Sequence, residues 1–167
     1  MPVAKILVVL ICVSCVIPAL AQNLSVSVPM HLKNAKTYYV SGRIAGIEPS
    51  EFMVDTGSSY TTINEATLGR LQADGETQYL RDLVAILANG HEVVVPLYQV
   101  STIEVGGSCI LNDVVVAVFP AKTRQILGLS ALTKASPFQF SVSPPELRLS
   151  NCQARITKQR VSEDTSS

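Results

Sequence analysis

The stretch Phe52-Met53-Val54-Asp55-Thr56-Gly57-Ser58-Ser59 ends three apolar residues in a carboxylate set among small hydroxyl residues. A carboxylate carried to a loop by a buried strand can take a proton from water or give one to a reacting group. Asp-Thr-Gly is equally good turn chemistry, so the triplet alone is ambiguous. A D-[ST]-G triplet arises by chance in roughly one chain in fifteen of this size. Other chemistries find less support. The chain holds only His31 and His91, which leaves no metal-ligand spacing and no candidate metal site. Neither histidine sits in a context suited to a Cys-His or Ser-His-Asp arrangement, and His91 reads as a solvated residue beside a turn.

The elements that must position Asp55 are mostly β. Residues 37–54 hold two β-rich runs separated by Gly46 and Pro49, a hairpin leading straight into Asp55. Residues 83–100 form another hairpin around Asn89-Gly90, a strong signal for a tight turn and well suited to act as a mobile cover. Residues 101–119 give two further strands around Gly106-Gly107, and 114–119 are apolar throughout, as in a strand buried on both faces. Beyond them lies Gln125-Ile126-Leu127-Gly128-Leu129, and residues 137–150 close the domain with two short strands around Pro144-Pro145. One short helix is expected over residues 65–74. Asn64 is its N-cap, Ile63 and Leu68 are placed to form a hydrophobic staple, and Gly75 is its stop. A second brief helix is expected after Gly128.

With 167 residues, zero formal charge and 47% hydrophobic content, the chain suits one domain with a substantial core. The neutral balance gives no electrostatic footprint for nucleic acid or an anionic membrane. Lys5, the short apolar run that follows it and Ala19-Leu20-Ala21 read as a signal peptide over residues 1–21. An uncleaved anchor is the alternative. Export to the periplasm or outside the cell is therefore expected, with no other membrane association. Residues 22–152 form the domain and 153–167 a flexible tail. The exported chain keeps Cys109 and Cys152, which form either one disulfide or two buried thiols.

DTGSS followed by TTI, the Ala88-Asn89-Gly90 hairpin, VGG before a buried strand, and ILGLSAL stand in an order that resembles the retropepsin-type aspartic proteases. The likeness extends over roughly residues 36–150 and is nearest to exported, single-domain bacterial members. It implies a mainly β, small closed barrel-like fold, half of a pepsin-like bilobal unit. The family's catalytic aspartate maps onto Asp55. One triplet per chain then implies a homodimer, with Thr56 bonding across the two-fold axis, Gly57 allowing close approach and Ser58 bonding the carboxylate. Ile126, Leu127 and Gly128 would support the loop from beneath, and Leu87, Ala88, Asn89 and Gly90 would form the flap over an extended peptide or unfolded protein. No cofactor is implied. Retroviral dimers are cemented by strands at the chain ends, which here would be the segment before Met30 and the region near Cys152. A peptide-binding module of the same fold, without cleavage, is the alternative function.

Overall fold

The structure, a computed structural model, describes residues 25–33, 36–120 and 123–153. The expected signal peptide and nearly all of the expected tail lie outside the described residues. Val26–Pro29 (β1) and His31–Lys33 (β2) precede an antiparallel hairpin of Thr37–Ile44 (β3) and Ser50–Val54 (β4). Thr61–Asn64 (β5) leads into helix Glu65–Ala73 (α1). Thr77–Ile86 (β6), Glu92–Val105 (β7) and Cys109–Phe119 (β8) form a meander. Ile126–Leu127 (β9), helix Leu129–Leu132 (α2) and a 3-10 turn, Thr133–Ala135, precede the hairpin of Phe138–Val142 (β10) and Pro145–Leu149 (β11).

Eight strands run in the order β2-β3-β4-β9-β5-β8-β7-β6, and a further pairing of β3 with β7 closes the inner six into a ring. The remaining three form a second sheet, β1-β11-β10. The ring is therefore the closed, mainly β fold expected from the sequence. Its core holds Phe52, Ile63, Leu127, Leu132, Leu147 and Leu149, all fully buried. Each such side chain contributes about 2 kcal/mol of transfer free energy on leaving water. Alternation assigns the faces: on β8, Val114 and Val116 point into the main core. Ala117 joins a smaller cluster with Val95 and Leu97 beneath the β6–β7 hairpin.

Helix α1 starts as its sequence dictates, with the Asn64 carboxamide oxygen accepting from the Thr67 N–H at 2.9 Å. It stops at Gly75, where the Gly75 and Glu76 N–H groups donate to the Gln72 and Leu71 carbonyls. The run after residue 100 differs from expectation. It is no separate strand but the continuation of β7, unbroken through Pro96, because β6 and β8 pair along both of its sides. β1 and β10 occupy both flanks of β11 within one chain, so the chain-end strands pair in cis.

The two cysteines are joined. Cys109 and Cys152 form a disulfide with Cα atoms 4.7 Å apart, tying the start of β8 to the segment after β11. Gln153 adds a bridge to Ile110 beside it.

Candidate active site

The Asp55 loop is held by a two-residue strand. β9 lies between β4, to which it runs parallel, and β5, to which it runs antiparallel. This wedge carries Asp55 off the end of β4. Its N–H donates to the Leu127 carbonyl at 3.1 Å, and the Ser58 N–H donates to the Asp55 carbonyl at 3.3 Å. The half-buried carboxylate accepts one bond on Oδ1 from the Gly57 N–H, at 2.9 Å. Thr56 and Gly57 stand exposed at the crest of the loop.

Gly128 packs directly against the far side of the loop. A Cβ there would stand 2.3 Å from the Tyr60 carbonyl oxygen and 2.9 Å from that of Ser58, so only hydrogen fits. The Gly128 N–H donates to Thr61 Oγ1 at 3.2 Å. Leu129 and Ser130 donate to the Ser58 and Ser59 carbonyls at 2.9 and 3.1 Å. These are N–H groups that the start of a helix leaves without partners, and here they hold the Asp55 loop. Ser130 Oγ completes the brace, accepting from the Thr61 N–H at 2.8 Å and donating to the Val115 carbonyl at 2.7 Å. Sequence reasoning missed Thr61 and Ser130. Each lies beside a motif, and their hydroxyls were the only available signal.

The Ser58 hydroxyl departs from expectation. It donates to the Tyr60 carbonyl at 2.7 Å rather than to the Asp55 carboxylate. A backbone acceptor two residues ahead is within reach of any serine in such a turn, and here it captures the proton.

Asp55, Gly57, Ser58, Tyr60 and Thr62 line one side of a groove of about 810 Å³, and residues 83–88 of the β6–β7 hairpin line the other. Ala117, Phe119 and Ile126 contribute to its largely apolar lining. Leu87 and Ala88 reach the groove, while Asn89 and Gly90 form the exposed tip of the hairpin beside exposed His91. The turn is wider than the Asn-Gly pair suggests. The Leu87 N–H donates to the His91 carbonyl and the Gly90 N–H to the Leu87 carbonyl, both at 2.8 Å. That leaves three residues in the loop, with Gly90 alone at positive φ (+82°) and Asn89 outside the left-handed region. A two-residue type I′ turn needs positive φ at both positions; a type I turn closed by a left-handed glycine needs it at one. The Asn89 side chain instead accepts from the His91 N–H at 3.1 Å. Val84, Ile86 and Val94 are exposed large apolar residues of this hairpin. Among the described residues no His, Cys, Asp and Glu cluster could hold a metal ion.

A family model described as aspartyl protease matches residues 40–131, a span that includes Asp55, the β6–β7 hairpin and Ile126-Leu127-Gly128. No curated protein sequence matches the chain. Among solved structures, the chain is similar to a retropepsin-like aspartic protease from Rickettsia conorii. That likeness has a TM-score of 0.55 at 17% sequence identity, over 75% of this chain and 90% of that one.

Proposed function

Since the chain belongs to the aspartyl protease family, we propose that it is an endopeptidase working as a homodimer, each protomer giving one Asp55 to a catalytic pair. One observation carries the pairing: Asp55 is the sole carboxylate among the described residues that line the groove. Hydrolysis by two cooperating carboxylates then needs a second copy. The exposed crest at Thr56 and Gly57 supports a contact there, with Thr56 bonding across the two-fold axis.

Two carboxylates brought together cannot both ionise, so the pair holds one proton and titrates as a unit. The ionised member takes a proton from water, whose oxygen attacks the peptide carbonyl. The protonated member donates to the carbonyl oxygen as negative charge develops on it. Collapse of the tetrahedral species sends a proton to the leaving amine and restores the carbonyl. The peptide lies extended between the Asp55 loop and the β6–β7 hairpin, its main chain adding to the strands and its side chains filling the apolar groove.

The Cys109–Cys152 disulfide supports export, since such bonds persist in oxidising compartments. The signal-like residues 1–21 support the same reading. Purified wild type and Asp55→Asn are to be incubated with a diverse peptide mixture from acidic to neutral pH, with products read by mass spectrometry. Cleavage is expected from wild type alone, lower by about a thousand-fold or more in the variant, with activity per protomer rising with protein concentration. Equal cleavage by both proteins would refute the role of Asp55. Activity per protomer independent of dilution into the monomer range would refute the shared site.

A further inference from the structure

We propose that the Thr62 hydroxyl is a specificity determinant, selecting peptides that place a neutral hydroxyl or carboxamide side chain over the floor of the groove. The proposal rests on the reading of this groove as a peptide site.

Thr62 lies on β5, opposite Ile126 on β9 and Ala117 on β8, and it lines the groove. It is 5% exposed, and its Oγ1 has no hydrogen-bond partner. Three hydroxyls near it are engaged. Thr61 Oγ1 accepts from Gly128, Ser130 Oγ bonds Thr61 and Val115, and Ser58 Oγ bonds Tyr60. Only one other buried side-chain atom among the described residues lacks a partner, Gln125 Oε1. That carboxamide sits away from the groove, donating to Thr67.

A buried hydroxyl without a partner destabilises the fold, and valine would fill the same space without that loss. A partner arriving in the groove accounts for the hydroxyl. A χ1 rotation of about 120° carries Oγ1 to another staggered position, so the hydroxyl can turn toward an occupant. It can donate and accept, as can a neutral hydroxyl or carboxamide. An aliphatic side chain leaves it orphaned, and a charged one loses its hydration against Ala117, Phe119 and Ile126. Ala117, small and directly opposite, leaves room for the incoming group.

The test compares Thr62→Val and Thr62→Ser with wild type in the peptide-mixture assay. Wild type is expected to favour Ser, Thr, Asn or Gln at one substrate position. Thr62→Val is expected to lose that preference by roughly ten-fold, read as the ratio of polar-bearing to aliphatic-bearing peptides cleaved, and Thr62→Ser to keep it. The valine variant is also expected to melt about 3 °C higher, the orphaned hydroxyl being gone. A wild-type profile with no neutral polar preference at any position, or a valine variant that keeps one, overturns the proposal.

Binding separates this claim from proteolysis. Peptides retained from the same mixture by Asp55→Asn, with and without Thr62→Val, report selection without cleavage. The polar enrichment is expected in the first and absent in the second, even if wild type cuts nothing. Equal enrichment in both overturns the role of Thr62 and leaves the role of Asp55 standing.

Discussion

Gly128 and Asp55 act as one unit although more than seventy residues separate them in sequence. A methyl group at position 128 would collide with the Tyr60 backbone at 2.3 Å, and backbone cannot swing aside as a long side chain can. Gly128→Ala is therefore expected to cost about 2 kcal/mol or more in urea unfolding and to suppress cleavage with Asp55 intact. Gly69→Ala is the matching control. Nothing lies within 4 Å of the new methyl, on an exposed helix position, so a gain of about 1 kcal/mol is expected there. Asp55 was legible in the sequence because an apolar run, a carboxylate and a glycine are all local. Thr62 was not. Its interest lies in what fails to contact it, and that depends on three strands meeting.

The hairpins were legible as elements because each carries its own alternation and turn residues within about twenty positions. Among the strands that sequence reading left out, β5 and β9 have no local partner. β9 has two residues, and its pairing with β4 spans more than seventy positions, so no periodicity could announce it. β1 was legible only through the family likeness, as a chain-end pairing segment, since its partner β11 lies at the other end of the domain. A side-chain tie reinforces that pairing. Ser27 on β1 donates to Glu146 on β11 at 2.7 Å, and Arg148 Nη2 lies 2.6 Å from the same carboxylate. The Ser27 hydroxyl above all, with smaller help from Arg148, holds the Glu146 carboxyl below its usual range against desolvation, the second-largest effect. The folded form thus binds a proton less readily than the unfolded chain. The tie is present above the ordinary carboxylate range and lost as pH falls through the lowered value. Amide exchange in β1, corrected for intrinsic rates, is expected to quicken on acidification. In Glu146→Gln it is expected to be fast throughout, with no pH step.

At the scale of the whole molecule, the disulfide encloses the segment from Cys109 to Cys152, which contains β8, β9, α2, β10 and β11. A separation of 43 residues restricts the unfolded chain by about 4 kcal/mol on loop-entropy grounds. Reduction is expected to lower the melting temperature by about 12 °C, measured by circular dichroism with and without reductant. A double Cys109→Ala, Cys152→Ala chain is expected to behave like the reduced protein and to ignore the reductant. Sequence could supply the pair of cysteines, but only the fold could bring their Cα atoms to 4.7 Å.

Both flanks of β11 are filled by strands of its own chain, and this has a consequence for how the molecule comes into being. A protomer that fills both flanks of β11 by itself need not borrow a strand there to become native. Refolding from denaturant should therefore be a first-order event, with a rate unchanged by tenfold dilution. Any second-order phase should report docking of finished protomers. Peptides copied from β1 or β10 would find both flanks of β11 already taken.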